Sequence, residues 1–135
     1  MTSVWASIQQ RFPKPEYVIR VAVFNAVAGI FKPFLSVTQE DVQETLQTGI
    51  TGAFAFSRAA ILAFKENDLE EPTGKRGTLV FTGATSALRG GPFTSIFSAG
   101  KFALRALSQS LAKEFGNENI HVAHVSHFTF LVDLF

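Results

Sequence analysis

Lys101 is the residue around which chemistry could be built. It lies in Phe97-Ser98-Ala99-Gly100-Lys101-Phe102-Ala103-Leu104-Arg105, a stretch of helical character. Four residues make about one helical turn, so Phe97 shares a face with Lys101, and Ser98, three residues back, is a neighbour. Phenylalanine has no proton to give. The Ser98 hydroxyl would need an adjacent base to act as a proton carrier, and none is evident nearby in sequence. Tyr17 is the only phenol in the chain. His121, His124 and His127 invite a metal reading, but they fall in a strand-like run where side chains alternate, so His124 points opposite to the other two. No metal site is expected. Gly83-Ala84-Thr85 and Gly90-Gly91-Pro92 are glycine-rich, yet neither makes a convincing phosphate cradle, and the second has proline where a helix-leading amide would be wanted.

These residues need elements to hold them. A helix is expected over 3–11, stopped by Pro13 and Pro15, then a buried strand over Val18–Phe24 interrupted by Arg20. Asn25–Gly29 reads as a turn and 32–35 as a loop. Thr38 is placed to cap a helix with Glu40 and Asp41 in its first turn, running to about Thr48, with a second helical stretch over 49–65. A polar surface loop (66–77), a strand (78–82) and a glycine-rich turn (83–92) follow. A long helix is expected over 94–115, with Leu104, Leu107, Leu111 and Phe115 on one face and Gly116 to stop it. A last strand (120–125) leaves a tail, 126–135. The order βαβαβ gives an α/β fold: three parallel strands with right-handed crossovers and flanking helices, in a single domain over 1–135. At roughly 30 residues per βαβ unit this is about half of a doubly wound sheet.

Composition narrows the functions available. The chain has 135 residues, 47% hydrophobic and 17% charged, which is enough apolar content to pack a core. Twelve basic and eleven acidic side chains, with no basic cluster, argue against nucleic acid as a partner. The longest apolar run, 50–64, is broken by Ser57 and Arg58 and is short of the roughly 20 residues that span a bilayer. With no cysteine and no secretory signal at the start, a cytoplasmic location is expected. Fifteen phenylalanines against one tyrosine and one tryptophan remove most polar aromatic chemistry.

From about Val18 to Val125 the motifs, in their order, resemble the short-chain dehydrogenase/reductase family. Phe24-Asn25-Ala26 is similar to the family's Asn-Ala-Gly segment, with Val27 where glycine is usual. Gly77–Thr82 resembles its fifth strand, and Phe97–Leu107 the helix carrying Tyr-x-x-x-Lys, in which the ammonium lowers the phenol's pKa to make a proton donor. Lys101 matches. Phe97 takes the tyrosine position, Ala84 the serine position, with Thr82, Thr85 and Ser86 nearby, and Gly49 that of the helix asparagine. Segments such as His121-Val-Ala-His124-Val125 look like a divergent branch carrying phenylalanine there, whereas Ser126–Phe135 looks unrelated to the family's loop.

The resemblance implies a partial Rossmann-like, three-layer fold and NAD or NADP as cofactor, with Lys101 as the catalytic residue and Asn25, Ala26 and Lys101 as cofactor-binding residues. The Thr-Gly-x-x-x-Gly-x-Gly turn that receives the pyrophosphate is absent from these residues. The chain is therefore expected to be a truncated member, unable to transfer hydride alone. Two alternatives stand beside that: a non-catalytic interaction module pairing with itself or a full-length relative, and an active divergent enzyme whose cofactor site another chain completes.

Overall fold

Three runs rich in β-branched and aromatic residues form one parallel sheet, in the order β1 (Val21–Phe24), β2 (Gly77–Ala84), β3 (Ile120–His127). The computed structural model describes residues 2–127. Four α-helices connect or precede the strands: α1 (Thr2–Arg11), α2 (Gln39–Thr45), α3 (Gly52–Lys65) and α4 (Ser95–Phe115). Register pairs Phe24 with Phe81 and Phe81 with His124, which brings the C-terminal ends of all three strands to one edge.

Alternation decides which face is buried. Ala22 and Phe24, Leu79 and Phe81, and Ile120 and Val122 point to one side, where Ala53, Ala60, Ile61 and Phe64 of α3 and Leu104 of α4 close over them. Trp5 of α1 reaches the same core, its ring 5.8 Å from that of Phe56. Full burial of side chains such as Phe64, Phe81 and Leu79 stabilises the domain by about 1.5–3 kcal/mol each. On the opposite face Val21, Val23 and Val125 remain 60%, 53% and 54% exposed. The described residues thus supply the sheet and one helical layer of the expected three-layer arrangement.

Several boundaries differ from the sequence expectation, each for a local reason. β1 begins at Val21 rather than Val18, because the Ile19 carbonyl is taken by the side chain of buried Asn67 at 2.8 Å. That asparagine lies in the segment expected to be a surface loop. The helices expected to part at Gly49 form one continuous path through a π-helical segment, Leu46–Thr51. Glycine inside a helix is unfavourable by propensity alone, but Thr45 and Gly49 are buried, and a Cβ at Gly100 of α4 would come 3.1 Å from Thr45 Cγ2. Burial of this stretch against α4 overrides propensity, although a Cβ at Gly49 itself would meet nothing within 4 Å. α4 ends at Phe115 with Gly116 as its C-cap, as expected, though Gly116 keeps a right-handed conformation; a short 3₁₀ turn follows and the chain reverses at Asn119, with φ 61°. Ser126 and His127 extend β3, and the rest of the expected tail lies outside the described residues.

Candidate functional site

Lys101 projects from the first half of α4 toward the end of β2. Its Nζ donates to the Thr82 carbonyl at 2.8 Å, and the residue is 5% exposed. Burial holds its pKa below the usual lysine value. One turn earlier the Phe97 ring lies with its centroid 5.8 Å from that ammonium, a cation–π distance. The shared face read from the spacing is therefore real, and it is occupied by a ring and a carbonyl.

Ser98 is buried, and its Oγ is 2.9 Å from Thr94 Oγ1. Thr94 gives its own hydroxyl hydrogen to the Gly91 carbonyl and accepts the Gly91 N–H, both at 2.9 Å. Ser98 is left to donate to Thr94, so its proton is committed to fixing the 91–94 turn. Ala84 ends β2 in extended conformation with no hydroxyl to offer, and Gly49 lies in the π segment with none either.

Asn25 and Ala26 are exposed just beyond β1, on the same sheet edge as Thr82. Among the described residues no hydrogen bond joins Asn25 to Lys101. The structure thus brings Lys101 and Phe97 together, and leaves Asn25 and Ala26 at the rim.

Two features escaped the sequence reading. The first is His124. Its ring lies against Gly83, where an added Cβ would meet Cε1 at 2.2 Å and Nε2 at 2.7 Å. Nε2 is buried without a hydrogen-bond partner, and Nδ1 is 3.5 Å from Ser126 Oγ. Burial first, then the charges of Arg105 and Lys101, pushes its pKa down. His121 is exposed and His124 half-buried, in keeping with alternation along the strand. The side chain of His127 lies outside the described residues. A glycine opposite a histidine in the neighbouring strand was the available signal, readable only once the register is known.

The second is the segment after β1. Phe31 stacks on Phe97 with centroids 4.7 Å apart and planes tilted by 39°. Lys32 donates its N–H to the Phe93 carbonyl at 3.0 Å and its ammonium to both Asp41 carboxylate oxygens at 2.9 and 2.7 Å. Nine residues separate that pair, and no short motif announces it.

Comparison with known proteins bears on the origin of this arrangement. Residues 2–133 match the family described as short chain dehydrogenase. L-2,3-butanediol dehydrogenase of Corynebacterium glutamicum is 33% identical over 94 residues, covering 70% of this chain and 34% of that protein. Among solved structures, a short-chain dehydrogenase from Rhodopseudomonas palustris superposes with a TM-score of 0.76 at 30% identity, over 93% of this chain and 55% of the other. A 4-hydroxyisoleucine dehydrogenase complexed with NADH and succinate gives 0.78 at 20% identity, covering 95% and 55%. The chain spans about a third to a half of the length of such relatives. Among the described residues no helix is long and apolar enough to cross a membrane.

Proposed function

The chain belongs to the short-chain dehydrogenase family, and from that premise we propose that it derives from an NAD(P)-dependent oxidoreductase and does not transfer hydride by itself. One observation carries the reading. Beside Lys101, where a proton donor is needed, stands the Phe97 ring, and the nearest helix hydroxyl, Ser98, is tied to Thr94. A reductase must protonate the oxygen that hydride addition creates, and neither group is free to do so.

The relative solved with NADH supports a nicotinamide cofactor in the ancestry of this chain. The residues present do not fit that group well. Lys101 is buried on a backbone carbonyl, Asn25 is at the rim, and no amide-lined glycine turn for a diphosphate occurs in the sequence. Titration with NADH and NADPH by calorimetry should give no binding in the micromolar range, and micromolar affinity that Lys101→Ala abolishes would overturn the reading.

A second reading rests on its own observation. Phe54, Ile61 and Leu62 of α3 face Leu107 and Leu111 of α4 across an apolar groove, with Phe54 and Leu62 largely exposed. Such a surface supports self-association or pairing with a longer relative. Sedimentation should show concentration-dependent association that Phe54→Ser weakens, and a monomer at all micromolar concentrations would remove this role.

A further inference from the structure

We propose that Phe31 is a gate over Phe97: its ring fills an aromatic seat on α4, and the Lys32–Asp41 ion pair is the latch that keeps it there. The seat is the face of Phe97, with the Lys101 ammonium 5.8 Å from its centroid. The gate is not part of the core, since Phe31 is 58% exposed although its ring stacks at 4.7 Å. Its neighbours give it little other support. Phe34 and Leu35 are exposed, and the nearest buried residue on the N-terminal side is Ala28. What holds the segment is Lys32, bonded through its N–H to Phe93 and through its ammonium to Asp41. Phe93 itself has φ 63°, a left-handed conformation uncommon for a residue with a bulky side chain, and its carbonyl is the one Lys32 uses. Among the described residues, the hydrogen bonds and ion pair that tie the flap from Gly29 to Ser36 to α2 and to Phe93 are made by Lys32, beside the ring that covers the seat.

The chemistry of the seat specifies what the gate excludes. A phenylalanine face prefers a second planar ring in tilted or offset contact, which is the geometry Phe31 already adopts. The ligand class is therefore a small aromatic ring. This goes beyond the proposed function, because it requires neither a dinucleotide nor hydride transfer, and it can fail while the cofactor reading stands.

Benzyl alcohol is a suitable probe, followed by NMR with the aromatic protons of Phe97 and the side chain of Lys101 assigned. Phe31→Ala should bind it roughly 2- to 13-fold more tightly than the unmodified chain, the factor that the geometric preference of one aromatic pair represents. Asp41→Asn, which removes the partly buried ion pair with Lys32, should give a smaller gain than Phe31→Ala. Adding Phe97→Ala to Phe31→Ala should abolish the response. If Phe31→Ala does not fold, Phe31→Leu removes the stack and keeps apolar bulk. Equal affinity in the unmodified and gate-less chains, no detectable binding to the gate-less chain, or shifts remote from Phe97 would each overturn the proposal.

Discussion

A half-buried imidazole whose Nε2 is buried without a partner governs the chemistry of this sheet edge at the level of single residues. His124 faces Lys101 and Arg105 from α4 and Gly83 from β2, so protonating it adds a third positive charge to a site that both cations already make unfavourable for one. Its folded pKa lies below the ordinary value of 6.5, which fixes the sign. Its share of stability is intact above about pH 6.5 and is lost as pH falls through the lowered folded value. The thermal unfolding midpoint should therefore fall between about pH 7.5 and pH 5, and His124→Asn should flatten that slope. An unchanged slope in the variant would assign the effect elsewhere. The sequence could place Lys101 one turn from Phe97, since helical spacing is a local property. It could not show that the lysine ends on Thr82 O or that His124 rests on Gly83, because both depend on how strands and helix register.

Among the elements, long periodic segments were the most legible. α4 starts at Ser95 with Thr94 preceding it and ends at Phe115, against an expectation of 94–115, because its apolar residues recur at helical spacing over 21 residues. The cap at Thr38 was also readable: its side chain accepts from the Asp41 N–H at 3.3 Å, while Asp41 accepts from the Thr38 N–H at 2.8 Å. The π segment was not, since it packs on α4, a helix about fifty residues away in sequence. Asp41 serves both cap and latch, and Lys32 first, then the Thr38 N–H, holds its carboxyl below the usual 3.8. Both contacts therefore persist above that pH and are lost as pH falls through the lowered value. Thr38→Ala should cost about 1 kcal/mol in urea unfolding, with early loss of the α2 amide signals. No measurable change would mean that the ion pair alone anchors this helix.

For the molecule as a whole, the fold class was legible and the exposure of one sheet face was not. Periodicity shows that β1 and β2 are apolar on both sides, as strands of a parallel sheet usually are, but not whether a second helical layer is present. Here Val21, Val23 and Val125 are exposed, and Val80 and Ala123 half-buried, on the face that no helix among the described residues covers. A dye such as anilinonaphthalene sulfonate should bind it, and replacing Val23 and Val125 with threonine should lower the fluorescence severalfold. Fluorescence insensitive to both changes would place the dye in the α3–α4 groove instead. The spatial order of the strands repeats their order along the chain, and this has a consequence for biosynthesis. As the polypeptide leaves the ribosome, β2 joins the edge of β1 and β3 the edge of β2, and none of these three described strands must be inserted between the other two, so their assembly can keep pace with translation.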